Sequence, residues 1–270
     1  MSARVAVITG AASGIGRALA QRCARQGMTV VLADIDEAQL AAAESFIGSA
    51  GGDLYSRVTD VSCADSVEAL AKDVYAHFGA VNLLCNNAGI LQTGVCWEES
   101  APSWRRAMDI NFMGVLHGVS SFVPRMLEQE QSAHIVNTGS LGALLAAPLM
   151  GPYTASKMAV RGLTETLHYE LRSIGASVGV SLLCPGPIET SMAASAAGRA
   201  SPSPTAQALM TELMSEDIVP LSPEACAEIV LDAVAEGRFW IFTHPEFKRH
   251  YVALAEELAD ERNPQYRSAW

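Results

Sequence analysis

Short apolar runs alternate with stretches of helical spacing along most of this chain, and that rhythm constrains the fold more than any other feature. Arg4–Thr9 reads R-V-A-V-I-T, with no polar alternation, as expected of a parallel strand buried on both faces. Gly14–Gln26 then places Ile15, Leu19 and Cys23 at helical spacing and stops at Gly27. The same pair recurs: strands over Thr29–Ala33, Leu54–Thr59, Val81–Cys85, Ala133–Thr138, Ser177–Leu183 and Phe239–Thr243. Between them the spacing predicts helices over Asp36–Ala50, Ser62–Phe78, Pro102–Gln129, Tyr153–Ile174 and Ser222–Glu236. Pro124 is expected to bend the longest of these. Strand–helix alternation without long polar linkers predicts an α/β chain. It has one doubly wound parallel sheet of about seven strands, helices on both faces in three layers, and a single domain over 1–270.

Two segments depart from the rhythm. Pro185–Pro220 is rich in Ser, Ala and Pro, and an excursion of that length in a compact domain is a lid or a linker. We expect 187–220 to form a substrate lid. A charged tail, 246–270, closes the chain.

Composition excludes several classes of function. Hydrophobic residues make up 50% of the 270 and charged residues only 17%, enough apolar surface for a large core and too much for disorder. A formal charge of −11 repels phosphate backbones and anionic bilayers, which excludes nucleic acid and membrane surfaces as partners. The apolar stretch Leu141–Tyr153 is too short and too interrupted to span a bilayer, and Val5–Ile8 is too short for a signal-peptide core. The six cysteines (23, 63, 85, 96, 184 and 226) contain no C-x-x-C pair and read as small buried hydrophobes of a reducing, cytoplasmic compartment. The six histidines show no ligand spacing, so no metal site is expected. The adjacent pairs Glu98-Glu99 and Asp36-Glu37 read as solvated or helix-start charges, not as an acid–base dyad.

Chemistry enters at the first strand–helix junction, Thr9-Gly10-Ala11-Ala12-Ser13-Gly14-Ile15-Gly16. Glycines at 10, 14 and 16 permit a tight turn and let backbone N–H groups approach a pyrophosphate at a helix N-terminus. The ordinary alternative is a plain strand–helix corner. The spacing is G-x-x-x-G-x-G, not the more familiar G-x-G-x-x-G. Asp34 ends the second strand about 20 residues further on, where a carboxylate accepts both adenosine ribose hydroxyls and repels a 2′-phosphate. That favours NAD over NADP, although Asp34 could instead simply cap a turn. Arg17 is the one feature that would help NADP.

Further motifs follow in order: Asn86-Asn87-Ala88-Gly89, Asn111, Ser140, Tyr153-Thr154-Ala155-Ser156-Lys157, and Pro185-Gly186-Pro187-Ile188-Glu189-Thr190. In this set and order the chain resembles the short-chain dehydrogenase/reductase superfamily over roughly Arg4–Thr190. The resemblance implies a Rossmann-like fold. It also implies a dinucleotide held by Gly10, Ser13, Gly14, Ile15 and Gly16, with adenine against Asp60 and Val61. Asn87, Ala88 and Gly89 would support the sheet beside the cofactor, and Pro185, Ile188 and Thr190 would lie at the carboxamide. It places a catalytic set on Asn111, Ser140, Tyr153 and Lys157, with Asn111 anchoring a water between Lys157 and solvent.

The residue types suit that chemistry on their own terms. Tyr153 and Lys157 lie four apart, so a helix puts their Cβ atoms ~5–6 Å from each other on one face. An adjacent ammonium is expected to lower the Tyr153 pKa and make it usable as acid or base. Ser140 could donate to the substrate oxygen, and Lys157 could also hold the nicotinamide ribose. Taken singly, a helical Tyr is usually packing and a Lys usually solvated. Their joint occurrence in this order reverses that judgement.

The reading is therefore an NAD(H)-dependent oxidoreductase that interconverts a hydrophobic secondary alcohol and its ketone. A non-catalytic dinucleotide sensor would need the glycines but no proton shuttle. An NADP(H)-dependent carbonyl or carrier-bound ketoacyl reductase fits Asp34 and the acidic surface poorly. Met192, Leu209, Met210, Leu213 and Met214, with Leu141, Leu144, Leu145 and Met150, are expected to cover the nonpolar substrate. The apolar strand at Phe239–Phe242 is an edge that calls for cover, and the resemblance implies a homotetramer paired there and across the two long helices. The alternative is a tail that folds back over that edge.

Overall fold

The first five residues of sheet, Val5–Thr9 (β1), are buried without exception, which requires helices on both sides of them. The computed structural model describes residues 4–48, 53–192, 203–213 and 219–266. Seven parallel strands form one sheet in the order β3-β2-β1-β4-β5-β6-β7. They are β1, β2 (Thr29–Asp34), β3 (Leu54–Val58), β4 (Leu83–Asn86), β5 (Ala133–Thr138), β6 (Val178–Cys184) and β7 (Trp240–Phe242).

The helices are α1 (Gly14–Arg25), α2 (Glu37–Gly48), α3 (Ala64–Phe78), α4 (Ala101–Met108), α5 (Gly114–Glu128), α6 (Gly151–Ser173), α7 (Pro204–Leu213), α8 (Pro223–Ala235) and α9 (Lys248–Ala259). One core layer packs the side chains of α3, α5 and α6 on one sheet face, around Phe122, Ile135 and Leu182. The other packs α1 and α8 on the opposite face, around Leu19, Leu32 and Val230. The expected Rossmann-like three-layer architecture is the observed one.

The order of the strands reverses between β1 and β4, and the turns leaving their C-terminal ends diverge there to leave a crevice. The glycine turn after β1 and Asn87–Gly89 after β4 both open into it.

Some expectations need refinement. The helix expected over Pro102–Gln129 runs over Ala101–Glu128 and carries one wide turn of π-helix, Asp109–Met113, between α4 and α5. Pro124 sits inside α5 and has no N–H to give the helical ladder. Of the cysteines, Cys63 and Cys96 are exposed; only 23, 85, 184 and 226 are buried, and burial pushes the thiols of 23, 184 and 226 up to about 12. The tail beyond 246 is largely the helix α9, packed back on the molecule. Arg161 of α6 stacks on both Trp240 of β7 and Tyr251 of α9, and Lys248 lies over Phe242. β7 is nonetheless an edge strand, and Trp240 stays 38% exposed.

Candidate active site

The glycine turn is tight because nothing larger fits. Gly10 (φ +67°) and Gly14 (φ +50°) occupy left-handed backbone that side chains disfavour. A Cβ on Gly16 would stand 2.0 Å from the Gly10 carbonyl oxygen, and one on Gly10 would stand 2.9 Å from Cα of Ala88. Thr9 staples this turn to the next: its Oγ1 accepts the N–H groups of Asn87 (2.9 Å) and Ala88 (3.1 Å). Asn87 Nδ2 returns a bond to the Thr9 carbonyl. Ser13 precedes α1 in extended backbone without capping it by its side chain, so the first turn of the helix keeps N–H groups free of a side-chain cap. Ile15 is half-buried on the α1 side of the core.

Asp34 leans back from β2 over this turn. One oxygen accepts Ala12 N–H at 3.0 Å and the other Asp36 N–H at 3.1 Å. A carboxylate accepts about four hydrogen bonds, so half its capacity remains on a half-buried group at the crevice rim. Arg17 is turned away, its guanidinium 5.4 Å from the centre of the Phe46 ring. Asp60 Oδ1 holds the start of the next turn through the N–H and hydroxyl of Ser62. Val61 is buried against Gly114, and its carbonyl pairs with His117 Nδ1 at 2.9 Å. On the far side, Thr190 lies over the glycine turn so closely that a Cβ on Gly14 would meet its methyl at 2.9 Å. Ile188 is held beside it by a bridge to Leu221. The residues present thus fit a dinucleotide: a cradle that any Cβ would fill, uncapped helical N–H groups, and a carboxylate with spare acceptors.

Tyr153, Lys157, Ser140 and Asn111 come together at the floor of the crevice, all four buried. Lys157 donates from Nζ to the Thr138 carbonyl at 2.8 Å, and Nζ lies 5.7 Å from the centre of the Tyr153 ring. Burial lowers the Lys157 pKa to about 8. Burial also pushes the Tyr153 phenol up, and a hydrogen bond with Ser140 pulls the other way. In the cofactor-free chain the cost of charging a buried phenol therefore opposes the depression expected at Tyr153. Ser140 Oγ accepts Gly142 N–H at 3.1 Å, which fixes the hydroxyl at the start of a short 3₁₀ turn.

Asn111 sits in the π-turn with its side chain committed. Its Oδ1 accepts Ile90 N–H (2.8 Å), and Nδ2 donates to the Ile90 carbonyl and to Ser156 Oγ, each at 3.0 Å. A Cβ on Gly89 would stand 3.1 Å from Asn111 Oδ1 and 3.5 Å from Lys157 Nζ, so the bare glycine leaves room where the two approach. π-turns cluster at functional sites because they free backbone groups from the helical ladder.

Glu98 and Glu99, read from the sequence as solvated or helix-start charges, stand just before α4 and are both hydrogen-bonded. Glu99 accepts Ser103 Oγ–H (2.5 Å) and a Gln92 amide N–H (3.1 Å) and lies against the α-carbon of Gly94, whose N–H bonds to the Leu149 carbonyl (2.8 Å). Glu98 accepts the Ser203 hydroxyl at 2.5 Å, tying the start of α7 to the loop before α4. Of the expected substrate cover, Leu141 and Leu144 are instead core residues, and Leu145 lines a cavity of about 550 Å³ with Met158 and Leu254. Met150 and Leu209 are half-buried, and Met192 and Met210 are exposed. Met214 and the side chain of Leu213 lie outside the described residues. Among the described residues, no cluster of three or more His, Cys, Asp or Glu could hold a metal, and no helix is long and apolar enough to cross a membrane.

A family model described as short chain dehydrogenase matches residues 4–200. The chain belongs to the short-chain dehydrogenase family. It is 32% identical over 262 residues to the 1-deoxy-11-beta-hydroxypentalenate dehydrogenase of Streptomyces exfoliatus, covering 96% of this chain and 89% of that one. It is also 32% identical over 254 residues to the CLA biosynthesis dehydrogenase/reductase of Lactiplantibacillus plantarum, covering 90% and 89%. A short-chain dehydrogenase from Burkholderia phymatum, solved in complex with NAD, superposes with a TM-score of 0.90 at 42% identity, covering 98% of each chain. The chain is thus an oxidoreductase by family, and its seven-stranded architecture is that of its relatives.

Proposed function

We propose that this short-chain dehydrogenase is an NAD(H)-dependent enzyme that interconverts a hydrophobic secondary alcohol and its ketone. The observation that carries the reading is the buried Tyr153–Lys157–Ser140 group on the floor of a crevice whose rim holds the Gly10–Gly16 cradle and Asp34. NAD held there would supply the hydride acceptor for alcohol oxidation, and NADH the hydride donor for ketone reduction.

The chain's own residues do the rest. Ser140, fixed by Gly142 N–H, donates to the substrate oxygen and orients it. Tyr153 takes the alcohol proton in oxidation and gives it back in reduction. Lys157, protonated below about pH 8, stabilises the phenolate and holds the nicotinamide ribose. Asn111, set in the π-turn, anchors the proton path from Lys157 to solvent. Asp34 takes the adenosine ribose hydroxyls, and Asp60 and Val61 the adenine. Gly10, Ser13, Gly14, Ile15 and Gly16 hold the pyrophosphate, and Pro185, Ile188 and Thr190 the carboxamide. The substrate lid of this reading covers 187–220, of which 193–202 and 214–218 lie outside the described residues; Ser203, within its described part, bonds to Glu98. The chain would assemble as a homotetramer in the cytoplasm. Relatives named for a hydroxypentalenate and for CLA biosynthesis support an apolar substrate.

The test is NADH formation across a panel of aliphatic, aromatic and polycyclic secondary alcohols. Turnover of at least one apolar member with NAD is expected. NADH binding without turnover of any member, or turnover only with NADP, would overturn the reading.

A further inference from the structure

The amide that joins Pro185 to Gly186 is held at both of its edges. The Pro185 carbonyl accepts Leu141 N–H at 3.0 Å, one residue past Ser140. The Gly186 N–H donates to Thr243 Oγ1 at 3.0 Å, just beyond the end of β7. In a trans amide these two groups point in opposite directions, so the amide bridges the Ser140 loop and β7. Thr243 shares a 2.7 Å hydrogen bond with Nδ1 of His244, and both residues are buried. His244 also fills the space under Gly186: a Cβ there would stand 2.6 Å from Nδ1.

The chain of contacts closes on itself. The His244 ring lies 6.1 Å from that of Phe247, centre to centre, and Phe247 packs on the side chain of Leu141. Leu141, Pro185–Gly186, Thr243–His244 and Phe247 form a ring of neighbours around one corner of the crevice. That corner carries Ser140 at one end and the Ile188–Thr190 stretch at the other.

We propose that Thr243 and His244 are positioning residues: through the Pro185–Gly186 amide they keep the Ser140 hydroxyl and the carboxamide-binding stretch in a fixed relation. The inference rests on the functional reading of those two partners given above. A half-buried N–H stripped of its acceptor shifts or draws in water, and here the shift passes directly to the loop after Ser140. Small displacements of a positioned group are costly to a reaction that depends on alignment.

The experiment compares Thr243→Val, which keeps shape and loses the acceptor, with Thr243→Ser, which keeps the hydroxyl. Three quantities are read on the full-length chain: hydrogen exchange of the Gly186 amide without ligand, NADH affinity by fluorescence titration, and kcat and KM for an alcohol turned over by the wild type. Thr243→Val should speed Gly186 exchange, weaken NADH binding about 10-fold and lower kcat about 10-fold, with KM for the alcohol changed less than about 2-fold. Thr243→Ser should return all of these to within about 2-fold of wild type.

A valine variant indistinguishable from wild type overturns the proposal, and so does a serine variant as impaired as the valine one. If Thr243→Val does not fold, Gly186→Ala decides it. The alanine should weaken NADH binding, and pairing it with His244→Ala should recover it, because the clash is with that ring. A double variant no better than the single overturns the role of His244. A wild type that binds no NADH would fail the functional reading, while ligand-free Gly186 exchange would still decide the clamp.

Discussion

Asp34 Oδ2 accepts the N–H of Ala12 at 3.0 Å, so the carboxylate that ends β2 is tied to the glycine turn that leaves β1. One side chain therefore sets both the shape of the cradle and the charge at its rim. Replacing Asp34 with Ser keeps a short acceptor but removes the charge that repels a 2′-phosphate. The kcat/KM ratio for NAD over NADP should fall by about 10-fold or more, through weaker NAD use and new NADP use. A wild type that already prefers NADPH would refute this role of Asp34.

Thr9 is expected to matter more for folding than its size suggests. Its hydroxyl is the acceptor for the N–H groups of Asn87 and Ala88. Thr9→Val leaves both unpaired in a half-buried corner and should cost about 1–3 kcal/mol in urea unfolding, whereas Thr9→Ser should cost less than about 1 kcal/mol. Equal losses in the two variants would assign the effect to packing.

Lys157 gives a pH signature. Burial holds its pKa at about 8 in the folded chain, against 10.5 for a free lysine side chain. From pH 8 to 10.5 the unfolded chain therefore carries the proton that the folded one has lost, and the contribution of Lys157 to stability rises across that window. The total is about 3 kcal/mol, or about 1.4 kcal/mol per pH unit. Lys157→Met has no such rise. The difference in unfolding free energy between the two proteins should be flat below pH 8 and shift toward the wild type above it; the buried cysteines, common to both, cancel. A pH-independent difference up to pH 9.5 would contradict the buried, depressed ammonium.

Assembly is open to direct weighing. Trp240 is 38% exposed on the edge strand β7 despite the cover from α9, and Tyr169 of α6 is 62% exposed. Light scattering on the eluting protein should give about four times the 28.6 kDa chain mass. A single species at one chain mass, active when dilute, would contradict the tetramer.

Much of this was legible in the sequence, for physical reasons. Central parallel strands buried on both faces are continuous apolar runs, and the strand–helix rhythm places the half-exposed edge strands β3 and β7, so all seven could be read to within about two residues. Positions four apart on a helix fix Tyr153 and Lys157 on one face whatever the tertiary structure. The π-turn around Asn111 was not legible, because one extra residue in a turn leaves no mark on composition. The hydrogen bonds of Glu99 to Gln92 and Ser103 were not legible, because charge and spacing alone do not say which side chains a carboxylate meets. Thr243 bonds to Gly186 across 57 residues. Periodicity also supplies the ammonium beside Tyr153 but not the depth of burial that opposes its effect on the phenol.

The central claim is that Tyr153 exchanges the substrate proton while other groups hold the cofactor. Its most direct test is Tyr153→Phe, measured for NADH affinity by fluorescence titration and for NADH formation with the best alcohol of the panel. The phenyl ring keeps the packing of a buried residue, so NADH affinity should stay within about 3-fold, while turnover should fall at least ~10²-fold, the usual worth of a positioned acid or base. Turnover retained at the wild-type level would remove Tyr153 from the mechanism and contradict the account.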